Sequence, residues 1–251
     1  MNNPFSLEGK NILVTGASSG IGQGAAIECA KAGAIVILNG RNESRLNETL
    51  GMLEGKGHTV ISSDLSTQEG IDELVTKVPV LNGIVHSAGI PKICSVKHIT
   101  RSVIDDVVNV NTIAPILITS SLLKKKKIAR NSSLVFISSL AGPFTTNIGE
   151  APYATSKSAV TGFVKSAAYE LAPLGIRANA LCPGMVVTHM VTSGNPDFDN
   201  EETQKEMLKR YPLKRFGKPE DIGTAAVFLL SDASSWITGV NLKIDGGYSL
   251  A

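Results

Sequence analysis

The residues best suited to chemistry in this sequence are Tyr153 and Lys157, which stand four positions apart. Pro152 precedes them and the run 154–164 is rich in Ala, Ser, Thr and Lys, so the sequence predicts a helix that begins here. Residues four apart share one helix face, where an ammonium group stabilises a phenolate and brings the phenol pKa towards neutrality. Such a pair can transfer a proton, although the same spacing also occurs by chance on exposed helices.

A glycine-rich turn near the N-terminus indicates a site for phosphate groups. The apolar run 11–15 has the length of a strand, Gly16, Gly20 and Gly22 follow it, and residues 21–32 have a helical pattern. Glycines let the backbone approach a pyrophosphate, and a helix N-terminus offers free N–H groups with a partial positive charge. The sequence therefore predicts a dinucleotide-binding unit, with an ordinary flexible turn as the alternative.

Together with Ser139, these motifs resemble the short-chain dehydrogenase/reductase family. The motif TGASSGIG occupies 15–22, and HSAG at 86–89 stands where most members have Asn-Asn-Ala-Gly. The segments 215–223 and 236–247 resemble the closing segments of the family. The resemblance covers nearly the whole chain and is broadest to 3-oxoacyl-carrier-protein reductases. His86 stands in place of the first asparagine of that motif, and we expect it to be a hydrogen-bonded packing residue.

The resemblance implies four catalytic residues. Tyr153 would exchange a proton with the substrate oxygen, and Lys157 would hold the nicotinamide ribose and lower the Tyr153 pKa. Ser139 would donate a hydrogen bond to the substrate oxygen, and Asn111 would position a water that links Lys157 to solvent. Ser138 is the alternative to Ser139, because the interval to Tyr153 is longer than in many members; the Leu-Ala-Gly that follows favours Ser139.

The resemblance also implies a site for a nicotinamide dinucleotide. Asp64 is expected to accept a hydrogen bond beside the adenine, and Thr188 and the backbone after Gly184 are expected to orient the carboxamide. The expected cofactor contacts come from the glycine turn, the ends of several strands and the catalytic pair: Gly16, Ser18, Ser19, Gly20, Ile21, Gly22, Arg41, Asp64, Leu65, Ala88, Gly89, Tyr153, Lys157, Pro183, Gly184, Val186 and Thr188.

The residues after the second apolar run favour NADP(H) over NAD(H). NAD-binding members usually carry an Asp where Gly40 stands, to accept a hydrogen bond from the ribose 2′-hydroxyl. Here the carboxylate is missing and Arg41 follows. A guanidinium can hold a 2′-phosphate through paired charge-assisted hydrogen bonds. The alternative is a surface arginine in a turn.

The order of apolar and helical stretches predicts the fold class. Strand-like runs occur at 11–15, 34–39, 58–62, 81–86, 133–138, 176–182 and 240–244, with helical stretches between most of them. This alternation predicts an α/β fold with a doubly wound (Rossmann), mostly parallel sheet, and 251 residues fit one domain over 1–251. The looser segment at about 189–215 is expected to be a substrate lid, and 189–211 is expected to order when ligands bind.

Composition narrows the choice of partners and compartment. The formal charge of +2 predicts neither a nucleic acid nor a membrane partner, and no signal peptide or membrane-length apolar run is evident. Cys29, Cys94 and Cys182 lack metal-ligand spacing, so no metal is expected and a cytoplasmic location fits. The lysines at 124–127 are interpreted as a solvated helix end, with docking of an acyl carrier protein as the alternative.

The predicted function is hydride transfer between NADP(H) and a small-molecule carbonyl or secondary alcohol. A 3-oxoacyl thioester is one candidate substrate, and sugar, steroid and other small-ketone reductases share the same motifs. The alternative from another class is a cofactor-sensing binding protein without turnover; an intact Ser139, Tyr153 and Lys157 argues against it. The resemblance implies a homotetramer, with residues 240–250 and the helix after Lys157 packed between subunits.

Overall fold

A seven-stranded parallel sheet forms the centre of the computed structural model, which describes residues 3–188, 191 and 200–250. The strands are β1 Asn11–Thr15, β2 Ile35–Gly40, β3 Thr59–Ser62, β4 Leu81–His86, β5 Ile128–Ile137, β6 Arg177–Pro183 and β7 Asn241–Ile244. Their order is β3-β2-β1-β4-β5-β6-β7, and every neighbouring pair is parallel. The predicted doubly wound fold is confirmed, and the winding reverses between β1 and β4, where such sheets open a crevice.

Helices cover both faces of the sheet. They are α1 Gly20–Lys31, α2 Glu43–Leu50, α3 Gln68–Lys77, α4 Arg101–Val108, α5 Ala114–Lys124, α6 Ala151–Leu171, α7 Glu201–Lys209 and α8 Pro219–Leu230. Successive residues of a strand point to opposite faces. Accordingly, Leu13 of β1 packs into the core that includes Val164 of α6, whereas Ile12 and Val14 pack into the core that includes Ala26 of α1.

The start of β5 corrects the sequence prediction. The strand begins at Ile128 rather than at position 133. Its first part contains the exposed residues Arg130 and Asn131, so it lacks the apolar pattern of a buried strand. Asn131 also has a positive φ of 60°, and the pairing register with β4 shifts between Leu81 and Gly83. This irregular beginning carries no local hydrophobic signal that a sequence pattern could detect.

The helical segment Arg101–Lys124 is long and apolar enough to cross a membrane, by length and composition alone. It contains α4, a π-helical turn at Asn109–Ile113 and α5. Val107, Ile118 and Leu122 of this segment are buried inside the fold. The apolar residues of this segment therefore belong to the protein core, and core helices of this length have the same composition.

The lysines at 124–127 lie at helix ends. Lys124 is the last residue of α5, and Lys127 Nζ donates hydrogen bonds of 2.7 Å to the carbonyls of Thr76 and Val78 at the end of α3. A cation is favourable at the negative end of a helix dipole. The interpretation as a helix-end cluster agrees with this geometry.

Part of the predicted lid lies outside the described residues. Residues 189–190 and 192–199 are not described, whereas the predicted short helix is present as α7.

Within the described part of the chain, no group of acidic, histidine or cysteine side chains could hold a metal ion, and the three cysteines are free.

Candidate functional site

A cleft of about 1660 Å³ opens at the carboxyl ends of the strands. Pockets for drug-sized ligands usually have volumes of about 300–1,000 Å³, so this cleft has room for an extended ligand and a second small molecule. Every predicted cofactor residue lines it, and so do Ser139, Tyr153 and Lys157. Asn111 lies just behind the wall and is buried.

Two glycines that follow β1 have no room for a side chain. Gly16 has a φ of +68°, and a Cβ there would lie 2.8 Å from the Ala88 Cα. A Cβ on Gly22 would lie 2.2 Å from the Gly16 carbonyl oxygen. Ser19 precedes α1 and makes no side-chain capping bond, so the helix start is left to bind an anion. These residues fit a dinucleotide diphosphate.

Two arginines, together with Glu43 and Asp64, line the end of the cleft beside β2. Arg41 and Arg45 are exposed and line the cleft near Gly40. The pKa of Asp64 is lowered, first by the hydrogen bond that the Ser66 backbone N–H donates to its carboxylate and also by the Arg41 charge. The sequence interpretation did not include Arg45, which lies on α2, whereas Arg41 precedes that helix.

Tyr153 and Lys157 project from α6 into the other end of the cleft. Lys157 Nζ lies 5.7 Å from the Tyr153 ring centroid and donates a 2.8 Å hydrogen bond to the Ile137 carbonyl. Burial lowers the pKa of Lys157 to about 8. Burial also raises the pKa of Tyr153, and hydrogen bonding with Ser139 offsets part of that rise. The sequence predicts that Lys157 lowers the Tyr153 pKa; the net direction in the structure is upward, because burial of the phenol dominates.

The two adjacent serines after β5 have different surroundings. Ser138 is buried, and its hydroxyl donates a 2.9 Å hydrogen bond to the Lys157 carbonyl. Ser139 is half-buried beside Tyr153, and its Oγ accepts a bond from the Ala141 N–H. Ser138 therefore anchors α6, while Ser139 is the serine placed to contact a ligand beside the phenol.

Asn111 joins three parts of the site from within the π-helical turn. Its Oδ1 accepts the Ile90 N–H at 2.8 Å, and its Nδ2 donates to the Ile90 carbonyl and the Ser156 hydroxyl at 3.1 and 3.0 Å. A Cβ on Gly89 would lie 3.2 Å from Asn111 Oδ1 and 3.4 Å from Lys157 Nζ. Asn111 and Lys157 therefore both approach Gly89, and the Asn111 amide is engaged by the protein.

The histidine of the HSAG motif packs inside the protein. His86 is stacked on Phe136, with ring centroids 4.6 Å apart, and its Nε2 lies 3.1 Å from the Thr119 hydroxyl. That hydroxyl donates to the Pro115 carbonyl, so the geometry assigns the proton to Nε2 of a neutral imidazole. Burial lowers the His86 pKa to about 3. The expected packing role fits this position.

Several residues that carry no sequence motif also line the cleft. The Tyr211 hydroxyl accepts the Met185 N–H at 3.2 Å, and the Arg210 guanidinium lies 4.5 Å from the Tyr248 ring centroid. On another wall, Glu150 Oε2 accepts hydrogen bonds from the backbone and side-chain amides of residue 147. These residues come from separate loops, and only the folded chain brings them together.

Comparisons with known proteins match nearly the whole chain. Residues 16–249 match a family model described as Enoyl-(Acyl carrier protein) reductase. The chain is 34% identical over 243 residues to the 3-oxoacyl-[acyl-carrier-protein] reductase FabG of Rickettsia felis, covering 97% of this chain and 98% of the relative. It is 36% identical over 256 residues to the oxidoreductase UcpA of Salmonella typhimurium, covering 97% and 96%.

Two solved structures have the same fold. A protein from Sinorhizobium meliloti assigned as a short-chain alcohol dehydrogenase has a TM-score of 0.91 and 31% identity, with 99% of this chain and 100% of that chain covered. A protein from Agrobacterium tumefaciens assigned as a 2-deoxy-D-gluconate 3-dehydrogenase, with bound NADP, has a TM-score of 0.89 and 32% identity, with both chains covered in full (100%).

Proposed function

Because the chain belongs to the short-chain dehydrogenase/reductase family and is an oxidoreductase, we propose that it transfers a hydride between NADP(H) and a carbonyl or secondary alcohol. The observation that carries this proposal is the cluster of Ser139, Tyr153 and Lys157 in the cleft that also contains the glycine turn. A proton donor for the substrate oxygen thus lies in the same cleft as the phosphate-binding turn.

The proposed roles follow from the positions of the side chains. The nicotinamide cofactor, when bound, supplies or accepts the hydride. The Tyr153 phenol, whose pKa is raised further above neutrality by burial, gives its proton to the carbonyl oxygen. Ser139 donates a hydrogen bond to the same oxygen and stabilises its developing charge. Lys157, held by the Ile137 carbonyl, would contact the nicotinamide ribose, and Asn111 would position a water that links the lysine to solvent.

The preference for NADP(H) is supported by the charges at the β2 end of the cleft. Position 40 offers no carboxylate to a ribose hydroxyl, and Arg41 and Arg45 both line this end. A phosphate would gain charge-assisted hydrogen bonds from the two guanidinium groups. The NADP in the solved relative from Agrobacterium tumefaciens is a further reason to propose this cofactor.

The relatives suggest two classes of substrate. The Rickettsia relative is a 3-oxoacyl-[acyl-carrier-protein] reductase, and solved relatives include proteins assigned as gluconate dehydrogenases. We propose a small carbonyl or alcohol substrate, with a 3-oxoacyl thioester as the second candidate. Docking of an acyl carrier protein at 124–127 has less support, because Lys127 is already bound to the carbonyls at the end of α3.

Assembly and compartment are also proposed from the family. We propose a homotetramer, and the large apolar side chains exposed near the C-terminus support it: Trp236 is 98% exposed and Leu250 is 81% exposed. Large exposed apolar groups mark interaction surfaces when they cluster. A cytoplasmic location is proposed because the cysteines are free.

The decisive test is a panel of ketones and alcohols followed by nicotinamide absorbance, with wild type and Tyr153→Phe. The variant keeps the ring and loses the acidic hydroxyl, so turnover should fall about a hundred- to ten-thousandfold with NADPH affinity little changed. Tyr169→Phe, an exposed tyrosine of α6, is the matched control and should retain activity.

Two outcomes would contradict the proposal. Near wild-type turnover by Tyr153→Phe would remove the phenol from the mechanism. A wild-type protein that binds NADPH tightly but turns over nothing in the panel would instead favour the cofactor-sensing alternative.

A further inference from the structure

The cleft contains an arginine whose charge is not neutralised by any described residue. Arg210 follows α7 directly, is exposed, and lines the cleft together with Tyr248. Among residues 3–188, 191 and 200–250, none of the ion pairs includes it. Arg101 and Arg215, by contrast, are paired with Asp105 and Asp221. The guanidinium of Arg210 is therefore available to an anion that enters the cleft.

A chain of contacts places this arginine at the catalytic end. The neighbouring Tyr211 accepts the Met185 N–H, and its ring lies 5.0 Å from that of Tyr248. Pro183 lies two residues before Met185, and its carbonyl accepts a 2.9 Å hydrogen bond from the Leu140 N–H. Leu140 directly follows Ser139. Arg210 consequently lies on the substrate side of the cleft. The two other cleft arginines are at the β2 end, where the adenosine is proposed to bind.

The aromatic ring below the guanidinium restricts its orientation. A guanidinium stacked on an aromatic face keeps its edge free for hydrogen bonds, and that edge matches a carboxylate in a paired arrangement. The 4.5 Å separation from the Tyr248 centroid is within the range of such stacking. The contact thus holds the Arg210 guanidinium beside the Tyr248 ring in the cleft wall.

The other ionisable groups of the cleft wall beside the phenol are Lys157, the pair Lys92 and Asp106, and Glu150. Lys92 is 3.5 Å from Asp106, so these two largely neutralise each other. Glu150 also lines the cleft, and Asn147 donates two hydrogen bonds to its carboxylate. A doubly charged phosphate would meet more repulsion from Glu150 than a carboxylate would. The Glu150 carboxylate can accept hydrogen bonds from substrate hydroxyls, and the Asn147 side-chain amide can accept or donate them.

We propose that Arg210 binds the carboxylate of a small oxo-acid or hydroxy-acid substrate and so selects acids over neutral ketones. The inference rests on the proposed function and names the substrate class of the same site. The carboxylate takes no part in the redox step; the arginine anchors one end of the substrate while the carbonyl or hydroxyl carbon faces the cofactor. Arg210 is therefore a specificity-determining residue.

Calorimetry on the cofactor-saturated protein tests this inference without turnover, because the hydroxy acid is titrated with NADPH bound and the oxo acid with NADP⁺ bound, and neither combination can react. D-Gluconate and acetoacetate are titrated against their neutral amides, D-gluconamide and acetoacetamide. In wild type, at least one acid should bind roughly tenfold or more tightly than its amide, as expected for a paired charge-assisted contact. Arg210→Gln should abolish that preference, and Arg210→Lys should retain part of it, because the charge remains but the planar fork is lost.

Lys205→Gln is the matched control. It removes the same unit of charge from an exposed position of α7 that does not line the cleft, so the acid preference should persist. Equal binding of acids and amides by wild type, or an acid preference that survives Arg210→Gln, would overturn the inference. If neutral ketones were still reduced in that case, the proposed function would stand. If no substrate of any kind were turned over, the proposed function would fail while the calorimetric result still decided the anion site.

Discussion

The buried imidazole of His86 should make the protein sensitive to acid. Between the Phe136 ring and the Thr119 hydroxyl, burial lowers its pKa from 6.5 to about 3. Below pH 6.5 the unfolded chain binds a proton that the folded protein does not bind. The stability that is complete above pH 6.5 is therefore lost progressively as the pH falls towards 3.

The size of this effect follows from the pKa difference. Each pH unit inside that window costs about 1.4 kcal/mol, so this one group should cost about 2 kcal/mol between about pH 7.5 and about pH 5. His86→Asn removes the titrating group and the stack on Phe136. The variant should be less stable at neutral pH, and the free-energy gap to wild type should shrink by about 2 kcal/mol at about pH 5.

Urea unfolding at the two pH values, at equal protein concentration, measures the gap. Other groups also titrate in this range, but they contribute equally to wild type and variant, so the difference isolates His86. His98→Asn, which replaces an exposed histidine in the same way, controls for the loss of an imidazole as such. An unchanged gap between wild type and His86→Asn would refute the reasoning, because it would mean that the folded protein admits a proton at this site.

Three further predictions concern the cofactor and the assembly. Lys157→Ala should reduce both turnover and NADPH affinity, whereas Tyr153→Phe should reduce turnover alone; cofactor titrations on both variants distinguish the two roles. Arg41→Ala should weaken NADPH binding about tenfold or more and NADH binding little. If the variant bound both cofactors as tightly as wild type, the 2′-phosphate would have to lie elsewhere. Native mass measurement should give a tetramer, and a monomer at micromolar concentration would contradict it.

The sequence by itself determined the order of the elements and the proximity of Tyr153 to Lys157. Apolar runs locate most strand boundaries within a residue or two, since buried parallel strands need continuous apolar stretches. Four-residue spacing on one helix places Tyr153 and Lys157 together whatever the rest of the chain does. The glycines after β1 are similarly local, because a turn in which a Cβ would lie 2.2 Å from a carbonyl oxygen allows no other residue.

Tertiary structure alone decided the contacts between residues that are distant in sequence. The pairing of Asn111 with Ser156, the packing of His86 against Thr119 and the placement of Arg210 over Tyr248 each join separate elements. Ser138 and Ser139 have different roles because the fold turns Ser138 towards α6. Local patterns encode periodicity and turn geometry, whereas these contacts depend on how the sheet and loops pack. The net direction of the Tyr153 pKa has the same origin, because desolvation exists only once the phenol is buried by the fold.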